Sequence, residues 1–341
     1  MMENRITPFV TNEDMVRPVP DAGKLHLDGL PNLSATLIPR GVAGWIRIHG
    51  GSPRTRLLIE RIYGPLQWCD SGQPAVRAAT LLIREGDYPP SFVVDRADMI
   101  IQISGPVVSV AQLKISVRYL TARLALDQHT SLVPIHGCLV VLDGASLLVC
   151  GSSGTGKSWM SADLVAQGGI RLVDDWALYD SSSGRCMAED ESNVIRRGGD
   201  PLPAFPPWML IEEFNGDPRS PQSRYISLLP RAETVRGDPV GLTHMLILDE
   251  PDRASASLCD ISNVGDAIYH MQPRFTDEAL DILGQDESRV LIERLNALGA
   301  TLSVRRLIGY RASADHYQQA LSLVNDWIAS HSSRRVPIRL R

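Results

Sequence analysis

Lysine is almost missing from this chain: Lys24, Lys114 and Lys157 are the only lysines among 34 basic residues in a sequence of 341. Aromatic residues are also few, at 6%. The five cysteines, Cys69, Cys138, Cys150, Cys186 and Cys259, are odd in number and show no C-x-x-C spacing. That fits buried, reduced thiols better than a disulfide framework or a zinc site. No apolar run approaches membrane-spanning length, and Met1–Arg5 carries no apolar signal core; the expectation is a cytoplasmic protein without membrane contact. Basic charge is not in excess. A net charge of −5 implies no overall surface for nucleic acid. The Arg-rich end from Arg334 to Arg341 is the one local exception, and it reads as a solvated terminus.

What is present describes an ordinary globular protein, 44% hydrophobic and 21% charged, long enough for two domains. The first 30 residues or so read as an irregular arm. Short β-type runs follow at 35–38, 44–48, 79–83 and 99–103, separated by turn formers such as Gly50-Gly51-Ser52-Pro53. Leu113, Val117, Leu120 and Leu124 then fall on one helical face over 110–126. These signals predict a β-rich N-terminal domain with a connecting helix over 1–125, a second domain over 126–331, and a disordered basic tail over 332–341.

The second domain carries the chemistry. Leu147–Cys150, an apolar run, leads into Gly151-Ser152-Ser153-Gly154-Thr155-Gly156-Lys157-Ser158, which satisfies G-x-x-x-x-G-K-[ST] at every fixed position. The residue types suit phosphate. Glycines let backbone N–H groups wrap an anion, the Lys157 ammonium reaches the outer phosphates, and the Ser158 hydroxyl can ligate Mg²⁺. The helix expected after Lys157 points its positive dipole end at the same place. A chain that otherwise prefers arginine has a lysine here, where a compact, flexible ammonium is needed.

The flanks narrow the reading. Residues 138–142 and 145–150 are apolar β runs around Asp143-Gly144, a strong hairpin signal. An antiparallel hairpin entering the loop points away from wholly parallel nucleotide-binding sheets and toward a mixed sheet. After the loop, Gly168-Gly169 ends the helix, and Ile170–Val173 reads as a strand delivering Asp174-Asp175. Carboxylates at that place are suited to metal or base roles in phosphoryl transfer. Farther on, 243–249 and 301–308 read as strands, 288–298 as a helix, and 314–330 as an amphipathic helix with Tyr317, Leu321, Val324 and Ile328 on one face.

His136-Gly137, the hairpin, the phosphate loop and the Asp174-Asp175 pair together resemble the HPr kinase/phosphorylase family over residues 134–176. The resemblance implies an α/β fold with a mixed-sheet P-loop kinase core, related to phosphoenolpyruvate carboxykinases, beside the smaller β-rich N-terminal domain. It implies that Asp174 accepts the proton of an acceptor hydroxyl, with His136 orienting it. Ser158 and Asp175 would hold Mg²⁺, and Lys157 with the loop amides would grip the β- and γ-phosphates of ATP. The family's later Glu–apolar–Arg–Gly signature is incomplete. Arg197-Gly198 matches, but Ile195 stands where the Glu belongs, with Glu189, Asp190 and Glu191 as nearby substitutes. Arg197 and Arg236 are candidate charge-stabilising residues, and Arg231 and Arg274 are weaker ones.

The function expected is an ATP-dependent, Mg²⁺-requiring kinase whose acceptor is a hydroxyl on a peptide, a protein or a small molecule. The altered signature puts the HPr acceptor and reverse phosphorolysis in doubt, and HPr-kinase-like relatives include enzymes that modify serine on lasso-peptide precursors. A homo-oligomer is a further expectation. Two other readings stand beside it. An ATP-binding sensor would need no positioned base such as Asp174, and a carboxykinase-like enzyme would need a second lysine and histidine set for metal binding near the loop, which a chain with three lysines does not easily supply.

Overall fold

Strands and helices interleave along the chain in a mixed α/β arrangement, with parallel and antiparallel pairings in the same sheets. The computed structural model describes residues 34–37, 44–63, 78–95, 98–128, 131–151, 155–173, 176–187, 194–196, 210–220, 224–229, 240–261, 302–311 and 313–331. Contacts group the chain into two units. One comprises Met1–Pro39, Ala43–Leu124 and Asn215–Ser223; the other comprises Arg40–Val42, Ala125–Phe214 and Arg224–Arg341.

The first unit holds β1 (Ser34–Leu37), β2 (Trp45–Gly50), α1 (Pro53–Tyr63), β3 (Ala78–Glu85), β4 (Ser91–Asp95), β5 (Ile100–Gly105) and most of α2 (Val110–Gln128). Its sheet runs β1-β2-β3-β5-β4, with β2, β3 and β5 parallel and the two edges antiparallel. Gly50–Pro53, expected as a turn between strands, instead opens α1. Pro53 suits a first helical turn because its missing N–H has no partner to lose there. Thr55, Leu58, Ile59 and Ile62 bury one face of α1 at helical spacing. At the start of α2, the Gln112 N–H donates to Ser109 Oγ at 3.3 Å, while the Ser109 N–H donates to Gln112 Oε1 at 3.0 Å. That reciprocal pair is a capping box.

The second unit centres on a hairpin of β6 (Leu132–Leu142) and β7 (Ala145–Gly151), antiparallel with Leu142 opposite Ala145. Asp143 and Gly144 both take positive φ, 50° and 80°, as a two-residue turn matched to strand twist requires. From β7 the chain passes into α3 (Lys157–Ala166), β8 (Ile170–Val173), β9 (Trp176–Asp180) and β10 (Arg185–Met187). Gly168 and Gly169 end α3 as expected: their N–H groups reach back to the Val165 and Leu164 carbonyls at 3.0 Å each. Later come β14 (Val240–Gly241), β15 (His244–Leu248), β16 (Ser257–Asp260), β17 (Ser303–Ile308) and α4 (Ala314–His331). The large sheet runs β14-β10-β9-β6-β7-β15-β17-β16, and β8 also pairs with β6. Three short strands, β11 (Val194–Arg196), β12 (Leu210–Asn215) and β13 (Arg224–Leu229), form a separate sheet.

The pairing that positions the site is parallel: β7 with β15, and β15 with β17. Helices α3 and α4 share a core with these strands, in which Val149, Met160, Leu164, Leu246, Leu307 and Val324 are buried together. The expected face of the last helix is realised, with Leu321, Val324 and Ile328 buried and Tyr317 packed partly against them. The Tyr317 hydroxyl donates to the Asp163 carboxylate, tying α4 to α3. Burial pushes the Asp163 carboxyl above its usual range, and the Tyr317 bond only partly offsets that. Cys138, Cys150 and Cys186 are buried thiols and Cys259 is half-buried; Cys69 lies outside the described residues. Among the described residues, no helix is long and apolar enough to cross a membrane.

Candidate functional site

The phosphate-loop sequence occupies the joint between β7 and α3, at the carboxyl end of a strand flanked by parallel β15 on one side and antiparallel β6 on the other. In open α/β sheets, ligands are received beyond the carboxyl ends of parallel strands. Gly151 closes β7. A Cβ there would lie 2.5 Å from Thr155 Oγ1 and 3.0 Å from the Leu248 carbonyl, so a side chain at this position would force its neighbours to move. Gly156, the residue before α3, has φ 96°, a left-handed conformation that L side chains rarely adopt. A left-handed glycine directly before a helix is one ingredient of the backbone concavities that bind anions.

Lys157 is the first residue of α3, 6% exposed, and its Nζ donates to the Gly151 carbonyl at 2.9 Å. The ammonium therefore reaches back from the first residue of α3 to the last residue of β7. Ser158 follows on α3, with its Oγ 4.0 Å from Cys138 Sγ on β6. Thr155 is held from the other flank, because Tyr310, 1% exposed, donates its hydroxyl to the Thr155 carbonyl at 2.6 Å. Tyr310 lies just past β17. Nothing local to the loop announces it, since the two residues are 155 positions apart.

Of the other expected site residues, His136 is on β6 with its backbone described. It pairs with Trp176 of β9, while its neighbour Gly137 pairs with Cys150 of β7. Val173, the last residue of β8, is bonded to β6 opposite Leu139. Ser152, Ser153, Gly154, Asp174, Asp175, Glu189, Asp190, Glu191, Arg197, Arg231, Arg236 and Arg274 lie outside the described residues, as does the helix expected over 288–298. Ile195 is on β11, opposite Ile226. Among the described residues no group of three or more His, Cys, Asp or Glu could hold a metal ion.

Two further loops border the joint from the β15 and β17 side. Asp249 follows β15, one residue beyond Leu248, which stands opposite Gly151. Its Oδ1 accepts the Glu250 N–H at 3.1 Å, and Arg306 Nη1 stands 3.8 Å from its Oδ2. Gly309–Arg311, after β17, is fastened to that loop: the Gly309 N–H donates to the Glu250 carbonyl at 2.9 Å and the Arg311 N–H to the Pro251 carbonyl at 2.8 Å. The exposed Arg311 side chain runs toward α3, its Cδ 4.0 Å from where a Cβ on Gly156 would stand. Arg311 is a residue that motif reading misses. Its only sequence signal is a cation just past the end of a strand.

No family model and no curated protein matches the chain.

Proposed function

We propose that the chain is an ATP-dependent, Mg²⁺-requiring kinase of the HPr-kinase-like type, built on a P-loop core and transferring the γ-phosphate to a hydroxyl. The observation that carries this reading is the conformation of the β7–α3 joint. A left-handed Gly156, a Gly151 with no room for a side chain, and a buried lysine at the helix start are the groups a polyphosphate needs. The donor set fits the ligand: amides and an ammonium for phosphate oxygens, and the Ser158 hydroxyl for a hydrated Mg²⁺.

In this reading, Lys157 and the loop amides align the β- and γ-phosphates. Asp174 takes the proton of the acceptor hydroxyl as its oxygen bonds to the γ-phosphorus, and the bond to the β,γ-bridging oxygen breaks to leave ADP. Ser158 and Asp175 would hold Mg²⁺, which when bound neutralises charge on the phosphates. His136 would orient Asp174. Phosphoryl transfer needs alignment and charge stabilisation more than covalent chemistry, and this set supplies both. The acceptor is a hydroxyl of a peptide, a protein or a small molecule.

The test is γ-labelled ATP with Mg²⁺, offered HPr, precursor peptides and a metabolite extract. Wild type is expected to label one acceptor class. Asp174→Asn should still bind ATP while transfer falls by about 10²–10⁴-fold, the usual worth of a positioned base. Near-normal transfer by Asp174→Asn would show that the base is misassigned. Tight ATP binding with no labelled acceptor would favour an ATP-binding regulator.

A further inference from the structure

We propose that Asp163 and Tyr317 are positioning residues for the phosphate loop: their bond fixes the register of α3 along α4, and so the place at which the helix start presents Lys157 to phosphate. This rests on the phosphate-loop reading above and deepens it.

Asp163 is the only acid in α3, and it stands half-buried between the buried Ala162 and Leu164. Burial holds its carboxyl above the usual range, so an apolar side chain would be easier to accommodate here. What the carboxylate adds is direction. Met160 and Leu164 of α3 share a core with Leu321, Val324 and Ile328 of α4, and apolar contact is non-directional. The Tyr317 hydroxyl, by contrast, meets the Asp163 carboxylate in one register only. A slip of one residue moves a helix by about 1.5 Å along its axis, enough to part the two groups. Fixing a register is the best-attested use of a buried polar pair.

Two further bonds from the same stretch of chain hold α3 at its ends. Before the helix, the Tyr310 hydroxyl donates to the Thr155 carbonyl at 2.6 Å. At its C-cap, Asn325 Nδ2 donates to Gln167 Oε1 at 2.5 Å. The Asp163–Tyr317 bond lies between them, six residues past Lys157 or roughly 9 Å along the axis. On the strand side, Gly151 is fixed by the pairing of β7 with β15. The reach of Lys157 Nζ to the Gly151 carbonyl, 2.9 Å, therefore depends on where α3 is seated. Tyr310 holds the loop itself, and Tyr317 holds the helix that carries the loop's lysine. Asp163 and Tyr317 act through α3.

The experiment measures Mg·ATP and ADP binding by calorimetry, with urea unfolding alongside, for wild type, Tyr317→Phe, Asp163→Asn and the double variant Asp163→Leu/Tyr317→Phe. Tyr317→Phe should weaken both nucleotides by about threefold to tenfold. Asp163→Asn keeps an acceptor for the Tyr317 hydroxyl and should bind nearly as wild type does. The double variant puts an apolar pair where the polar pair stood, so its unfolding midpoint should equal or exceed that of wild type. Its nucleotide affinity should nevertheless stay as low as that of Tyr317→Phe. That separation of affinity from stability is what a merely structural pair would not produce. Wild-type affinity in Tyr317→Phe, or affinity that returns together with stability in the double variant, would overturn the proposal. Weak binding by Asp163→Asn would overturn it too, because charge rather than the bond would then be at work. If the double variant does not fold, Tyr317→Phe still decides. These results leave the phosphate-loop reading intact, whereas a wild type that binds neither nucleotide overturns both.

Discussion

The protein contains two glycine-rich joints between a strand and a helix, and they are finished in opposite ways. In the first unit, Gly50-Gly51-Ser52 links β2 to α1, and the helix start is filled by the chain's own carboxylate. Glu85, at the end of β3, accepts the Ser52 N–H at 2.5 Å, the Thr55 hydroxyl at 2.7 Å and the Val108 N–H at 3.1 Å. In the second unit, Gly151–Gly156 links β7 to α3, and the helix start carries a buried lysine whose ammonium turns onto the Gly151 carbonyl. Both helix starts present N–H groups and a positive dipole end. One is satisfied internally by an anion, and the other adds a cation where an anion would sit. A glycine-rich turn before a helix is therefore not by itself a ligand site. What stands at the helix start decides.

The first joint can be broken most strongly at Glu85. Half-burial works to raise its pKa, but the hydrogen bonds from Ser52, Thr55 and Val108 outweigh it and hold the carboxyl below its usual range. A carboxylate with a depressed folded pKa contributes stability that is complete above its unfolded value and is lost as pH falls through the folded value. Glu85→Gln should therefore destabilise the fold at neutral pH by about 1–3 kcal/mol, since it weakens charge-assisted bonds to buried donors. Urea unfolding across pH 3–7, a window set by ordinary carboxylate titration near about 4.3, should show the wild-type advantage shrinking at the acid end. An advantage independent of pH would mean that the carboxylate charge is not what fills this helix start.

A smaller effect is expected at the second joint from Tyr310→Phe. The substitution keeps the buried ring and removes only the hydroxyl that holds the Thr155 carbonyl at 2.6 Å. Its cost should be about 1 kcal/mol of stability, the net worth of one hydrogen bond. Kinetically it should appear as a raised KM for ATP, because a looser loop must be ordered when nucleotide binds. A fall in kcat at unchanged KM would instead implicate Tyr310 in the transfer step.

Local signals made much of the second unit legible. Asp143-Gly144 foretells the hairpin because few residues accept positive φ twice in succession. Gly168-Gly169 foretells the end of α3, and the spacing of Leu321, Val324 and Ile328 foretells the buried face of α4. The G-x-x-x-x-G-K-S run foretells the strand–loop–helix joint itself. What was not legible depends on distant partners. The apolar stretch at 244–248 reads as a strand, but its parallel register with β7 pairs residues nearly a hundred positions apart, and no local pattern encodes that. Glu85 is 33 positions from Ser52, so Gly50–Pro53 reads as a plain turn and α1 goes unseen. Tyr310 and Arg311 reach the phosphate loop only because β17 joins the same sheet.

The most direct test is calorimetric titration of Mg·ATP into wild type, Lys157→Ala and Glu85→Gln. The account predicts a single site in wild type, retained by Glu85→Gln and lost in Lys157→Ala, because the proposed reading places the phosphates at the β7–α3 joint. Binding that survives in Lys157→Ala would contradict it.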